Sequence, residues 1–247
     1  MASPLDQFQI KPIVPIEIAG LNLAFTNSAL WMTLAVAAAT FFLVSAASGA
    51  RIVPGRMQSA AEVLYEFIAG MVRENVGDEG KRYFPFFFTL FMFVLFGNLL
   101  GMLPYAFTFT SHIAVTFALA MIVFVLITVV AISIHGMHFF SYFFPEGAPK
   151  VLAPLIIPIE VISYLSRPVS LSVRLFANMV AGHVMLKVFA TFVVLMGSAG
   201  AVGIFGAAAP LAVNVALVGF EFLVAFLQAY VFAILTSIYL HDAVHLH

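Results

Sequence analysis

Cysteine is missing from all 247 positions, which rules out a disulfide framework, a thiolate nucleophile and a cysteine-type zinc site. Charge is nearly as scarce: Asp, Glu, Lys and Arg make up 9% of the chain against 64% hydrophobic residues, with a mean hydropathy of +1.13. Soluble domains carry about one quarter charged residues, so this composition cannot cover a water-facing surface. With a net charge of −1 and no Lys/Arg cluster, nucleic acid is excluded as a partner. The stretch from Met1 to Lys11 lacks the shape of a cleavable signal, because Asp6, Lys11 and three prolines precede the first apolar run. That first hydrophobic segment is therefore expected to stay in the mature protein. The Gly-x-Ser-x-Gly, His-Glu-x-x-His and phosphate-loop patterns are also missing, so hydrolytic chemistry, a nucleotide site, a cofactor and a metal are not expected in this chain.

What the sequence does have is long uncharged runs. No charged residue occurs from Ile18 to Ala50, and about 20 apolar residues suffice to cross a bilayer, which predicts a first span at 27–48 with Trp31 at its interfacial end. Arg51 to Arg82 cannot cross, since it holds ten of the 21 acidic and basic residues. Within it Met57, Ala60, Ala61, Leu64, Ile68 and Met71 recur at three- and four-residue spacing while Arg56, Glu62, Glu66 and Arg73 fall elsewhere, the pattern of an amphipathic surface helix. The next uncharged run, Tyr83 to Ile134, is broken at Leu103-Pro104-Tyr105 through Ser111, giving spans at 83–103 and 111–135. A polar patch follows with His135, His138, Glu146, Pro149 and Lys150. Two long helices, 150–196 and 203–240, then flank a bend marked by Gly197, Gly200, Gly203, Gly206 and Pro210. The expectation is a single membrane domain over 1–247: an all-α integral membrane protein with about five membrane-crossing helices and one amphipathic surface helix, its last two long helices forming a tilted antiparallel hairpin. Five of the ten Lys and Arg residues lie in Arg51–Arg82 and Lys150 marks the following connection, whereas the other turns carry none. Cytoplasmic loops are the basic ones, so the segment 1–26 is expected outside and the C-terminus inside.

The last two helices contain ionisable residues that such helices normally avoid: Glu160, Arg167, Arg174, His183, Lys187 and Glu221. An arginine near a helix centre costs about 2.5–3.5 kcal/mol on the insertion scale, and it cannot shed its proton to escape. A fixed charge at Arg174 suits an electrostatic gate better than a proton carrier, while Arg167, nearer the cytoplasmic end, is expected to snorkel outward. In an antiparallel hairpin, Arg174 with Gln228 and His183 with Glu221 fall in nearly one register, so costly side chains find each other. His183 lies nine residues from Arg174, about 13 Å along a helix, and Glu160 lies fourteen residues the other way, about 21 Å. Histidine and glutamate exchange protons near neutral pH, making His183–Glu221 a candidate proton-access pair on the outer side and Glu160 a candidate on the inner side. Structural alternatives stand beside these readings: a hydrogen-bonded pair tying the helices, and an interfacial carboxylate.

The run Ser170-Leu171-Ser172-Val173-Arg174-Leu175-Phe176-Ala177-Asn178-Met179 with Ala181-Gly182-His183 resembles the signature of subunit a of F-type ATP synthases. The resemblance extends to Asn98-Leu99-Leu100-Gly101-Met102-Leu103-Pro104 and to Glu221 through Leu240, roughly the last two-thirds of the chain; residues 1–50 match only in hydrophobic character. It implies a proton-translocating stator beside a ring of c subunits, held by peripheral-stalk b subunits and joined to the F1 sector through the stalk, in one copy per complex. Two offset half-channels would lead protons to and from the ring carboxylates, with Arg174 preventing a direct leak, Asn178 and Gln228 flanking it, His183 and Glu221 in the outer half-channel and Glu160 in the inner. Such a subunit sits in an energy-coupling membrane, here expected to be a bacterial inner membrane rather than a mitochondrial one, and contributes no catalytic chemistry of its own to the ATP synthase complex. In many bacterial members the acid and the histidine of the outer pair stand at exchanged positions, and the exchange keeps one acid and one imidazole.

Asn98 and His112 flank the second outer turn and are lesser candidates for lining the outer channel. Lys187 reads as a snorkelling or capping residue, and His241, Asp242, His245 and His247 read as an exposed tail rather than a metal site. The alternative function is a secondary transporter with an intramembrane ion or substrate site, but no second copy of the Arg174 segment provides the repeat such a fold uses.

Overall fold

A computed structural model describes residues 8–15, 17–18, 21–22, 24–103, 106–144 and 150–245. Pro104 and Tyr105 of the predicted turn, Glu146, Pro149 and His247 lie outside the described residues. Four short strands, β1 (Pro12–Val14), β2 (Glu17–Ile18), β3 (Leu21–Asn22) and β4 (Phe25–Thr26), precede six helices: α1 (Asn27–Ala47), α2 (Arg56–Val76), α3 (Phe84–Gly101), α4 (Ile113–His135), α5 (Ala153–Gly197) and α6 (Ala201–Val244). Five of the helices are long and apolar enough to cross a membrane. The protein is thus an all-α integral membrane protein, and α2 is the polar exception. The chain forms two compact units, one from Met1–Gly49, Met92–His112 and Leu175–Ala229, the other from Ala50–Phe91, Ile113–Arg174 and Tyr230–His247.

In the first unit the incoming chain is clasped to the start of α1. β1 pairs antiparallel with β4, and the Asn27 side chain accepts from the Lys11 backbone N–H at 3.1 Å and donates to the Gln9 carbonyl at 3.0 Å. Thr26 caps α1, its hydroxyl accepting from the Ala29 N–H. The segment after α3 folds back against that helix, burying Phe107, Thr108, Phe109, Thr110 and Ser111. Buried loop backbone must find hydrogen-bond partners, and here side chains supply them: the Thr108 hydroxyl donates to the Gly101 carbonyl and the Ser111 hydroxyl to the Thr108 carbonyl. Two glycines make the approach possible, since a Cβ on Gly97 would collide with the Phe109 ring and one on Gly101 would lie 2.6 Å from Thr108 Oγ1. The link from α5 to α6 is a tight turn with Gly200 at φ 86°, a left-handed conformation that suits glycine. Only residues 198–200 form this turn; Gly203, Gly206 and Pro210 lie within α6. A Cβ on Gly203 would collide with the Met196 carbonyl, so a glycine there serves close packing rather than a bend.

In the second unit α4 buries Thr116, Ala120, Val123, Ile127 and Ala131, one stripe at three- and four-residue spacing, and exposes Phe117, Ile122, Val125, Val129 and Ile132. Because both faces are apolar, packing rather than polarity distinguishes them, as expected for a helix in lipid. α2 buries Ile68, Met71, Val72 and Val76, each contributing about 1.5–3 kcal/mol, while Met57 and Ala60 of the predicted apolar face are exposed. Gly77, at φ 78°, ends the helix. α6 runs through Val244, past the apolar stretch that closes at Leu240, because its last turn is buried at Ala243 and Val244 and His135 Nε2 donates to both of their carbonyls at 3.1 and 3.2 Å. In this unit α6 fully buries the small residues Ala233, Thr236 and Ser237 beside the larger Phe232 and Leu240, and the small ones allow close helix approach without a polarity difference.

Candidate functional site

The clearest polar constellation lies in the first unit, where α5 and α6 run past each other. His183 Nδ1 lies 3.4 Å from Glu221 Oε1. Glu221 is 4% exposed, and among the described residues neither of its oxygens has a hydrogen-bond partner of good geometry, so the imidazole is the polar group nearest to hand. Gly182 creates the space: a Cβ there would stand 2.8 Å from Glu221 Oε1. On its other side His183 Nε2 lies 2.9 Å from Thr108 Oγ1, and the Phe8 ring meets the imidazole edge-on at 6.3 Å.

His183 also lines a cavity of about 930 Å³, together with Lys11, Asn27, Trp31, Lys187 and Asn214. That volume holds many waters. Glu221 is absent from the cavity wall among the described residues, so His183 is the group that touches both the cavity and the carboxyl. The arrangement sets one imidazole between an open cavity and a buried acid, where it can exchange a proton with that acid.

The remaining predicted residues distribute as follows. Asn98 is fully buried, its Oδ1 accepting from the Thr110 hydroxyl at 2.9 Å and its Nδ2 donating to the Ala225 carbonyl at 3.3 Å, which ties α3 and the 3₁₀ turn Phe109–Ser111 to α6. His112 stacks on Phe107, with ring centroids 5.1 Å apart, and Phe107 stands on the cavity wall. Burial pushes the His112 imidazole below its ordinary range, and a hydrogen bond to the Phe8 backbone opposes that shift. Gln228 is buried and Asn178 is exposed in the first unit; Arg174 is exposed and Glu160 half-buried in the second.

Arg167 has partners within the chain. It is 18% exposed, its guanidinium lies 3.1 Å from Asp242 Oδ2, and it stands over the rings of Tyr164 and Tyr239 at 5.3 and 4.9 Å. The partly buried site offers a carboxylate and two ring faces, which together suit a planar cation. Asp242 and His241 accordingly belong to α6 rather than to a free tail, and the His241 and His245 rings lie 4.6 Å apart. Two cavity residues escaped the sequence reading. Asn214 is the sole polar side chain between Gly203 and Phe220, a signal available in the sequence; Thr108 sits among several hydroxyl residues and carried none.

The family described as ATP synthase A chain matches residues 29–241. The chain belongs to that family. Among curated proteins it is 57% identical to the ATP synthase subunit a of Rhodospirillum rubrum over the whole of both chains. It is 59% identical to that of Agrobacterium fabrum over 98% of this chain and 97% of the relative. Against that of Granulibacter bethesdensis it is 69% identical over 79% of this chain and 78% of the relative. The match to the ATP synthase A chain family takes in Arg174, the His183–Glu221 pair and the folded-back segment with Thr108, while β1 to β4 and Asn27 lie before it.

Proposed function

We propose that this chain is the proton-translocating stator subunit in the membrane sector of an F-type ATP synthase, and that His183 and Glu221 are its outer proton-access pair. The observation that carries the reading is an imidazole and a carboxyl 3.4 Å apart in apolar helices, with the imidazole on the wall of a cavity of about 930 Å³. Family membership supports the complex; the vestibule supports the path. In this reading the chain itself breaks no covalent bond and provides access to a carboxylate on a neighbouring ring of c subunits. Arg174 is the barrier, Asn178 and Gln228 are the residues that the family resemblance assigns to flank it, and Glu160 serves the opposite access route. Arg174 suits that role because its charge is permanent and it is exposed on the surface of this chain, available to a partner's carboxylate. The b subunits and the soluble sector complete the assembly. The basic connections support a bacterial inner-membrane orientation with the N-terminal segment outside and the C-terminus in the cytoplasm.

Replacing Arg174 with Ala in the assembled complex tests the reading. Membrane vesicles carrying the variant are expected to hydrolyse ATP without acidifying their interior. Acidification at the normal rate would refute the assignment.

A further inference from the structure

We infer that Thr108 is a positioning residue that fixes the tautomer of His183, so that the imidazole presents the lone pair of Nδ1, and not an N–H, to Glu221. The inference rests on the reading of His183–Glu221 as a proton-access pair. It begins with one hydroxyl and two neighbours. Thr108 Oγ1 lies 3.0 Å from the Gly101 carbonyl and 2.9 Å from His183 Nε2, and the side chain is buried. A hydroxyl has one proton to give. The carbonyl of Gly101, the last residue of α3, can only accept. The hydroxyl proton therefore goes to Gly101, and the lone pairs of Oγ1 face Nε2. The contact at 2.9 Å is then an Nε2–H donating to Thr108.

A neutral imidazole carries one N–H, and the hydrogen bond made by one nitrogen decides the state of the other. With the proton held on Nε2, Nδ1 bears the lone pair, 3.4 Å from Glu221 Oε1. Proton exchange between the imidazole and the acid then needs no turn of the ring. A protonated Glu221 gives its proton to Nδ1, leaving carboxylate and imidazolium; the reverse step returns the proton and restores the Nδ1 lone pair. Throughout, Nε2 keeps its hydrogen. In the other tautomer Nδ1–H would donate to an ionised Glu221, and accepting a proton from the acid would first require moving hydrogen between the two ring nitrogens. Gly101 and Gly182 hold the two ends of this arrangement, since a Cβ on either would press on Thr108 Oγ1 or Glu221 Oε1.

The test uses the whole complex with isotope-labelled histidine and reads the imidazole nitrogens by solid-state NMR, His183 being assigned from the signal lost in His183→Gln. Protonated and bare ring nitrogens resonate far apart, so the neutral form reports its tautomer directly. Wild type and Thr108→Ser are expected to show Nε2–H alone. Thr108→Val keeps the shape but removes the acceptor, and is expected to show the Nδ1–H form together with ATP-driven proton pumping reduced about 10-fold, a loss typical of removing a histidine's orienting partner. An Nδ1–H tautomer in wild type would overturn the inference even if the valine variant fails to assemble, and so would an assembled Thr108→Val with an unchanged His183 spectrum. Neither measurement depends on proton flux, so normal pumping by Glu221→Gln would sink the access-pair reading separately.

Discussion

Two clusters of ionisable side chains occupy apolar helices in this protein, and they are built on opposite principles. Around Arg167 each charged group is answered: a carboxylate at 3.1 Å, two aromatic faces, and cavities of only about 10 Å³, room for a single water at most. Around His183 the carboxyl of Glu221 has the imidazole and little else, and the imidazole borders about 930 Å³ of open space. A closed, satisfied cluster holds helices together. An open cluster with an incompletely answered acid can take up and release a proton, because neither protonation state is locked by surrounding partners. Placing an ionisable residue in a membrane helix therefore does not by itself mark function; its degree of satisfaction and its access to water do.

Substitutions sharpen that contrast, and the largest effect is expected at the open cluster. Glu221→Gln removes the titrating acid while keeping its shape, and proton pumping by the assembled complex should fall about 100-fold, the lower end of what a positioned proton-transfer group contributes. Gly182→Ala tests geometry alone: its new Cβ displaces the Glu221 carboxyl from His183, so pumping should drop about 10-fold or more while the amount of assembled complex holds. Normal pumping in either variant would break the contrast. At the closed cluster Asp242→Asn should act on stability instead. Its carboxylate is 35% exposed and screened, so the loss should be about 1 kcal/mol, seen as earlier thermal unfolding in detergent with pumping retained; a pumping defect would place Asp242 with the proton path.

The smallest effect is expected outside both clusters, at the exposed pair Asp78–Lys81. The hydrogen bond and charge of Lys81 hold the Asp78 carboxyl below its ordinary value of 3.8. A depressed carboxyl stabilises the folded state above that value and loses the contribution as pH falls through the lower one. Asp78→Asn should therefore leave unfolding unchanged at neutral pH within error and slightly flatten its acid dependence, which a pH series of thermal melts would check.

A site residue is legible in the sequence where it is chemically out of place, and not where its role depends on what the chain brings near it. His183 and Glu221 stand out as ionisable residues in apolar runs, and the hairpin register pairs them as the structure does. Arg167 stands out equally, yet its partner Asp242 reads as part of a tail, because nothing local shows that α6 continues to Val244 under the cap of His135. Thr108 was invisible for a related reason: one hydroxyl among several becomes special only when a buried loop sets it between a helix-end carbonyl and an imidazole.

Composition and run length alone determined that this chain lives in a membrane, since apolar surface on this scale has no other solvent, and they fixed five crossings by the thickness those runs must span. Which face of each helix is buried only the tertiary structure decided. Inside lipid both faces are apolar, so the hydrophobic pattern that orients a helix in water carries no information, and small-residue packing and hydrogen bonds choose instead. The same holds for the site: the sequence supplied an acid and an imidazole, and the fold decided which nitrogen faces the acid.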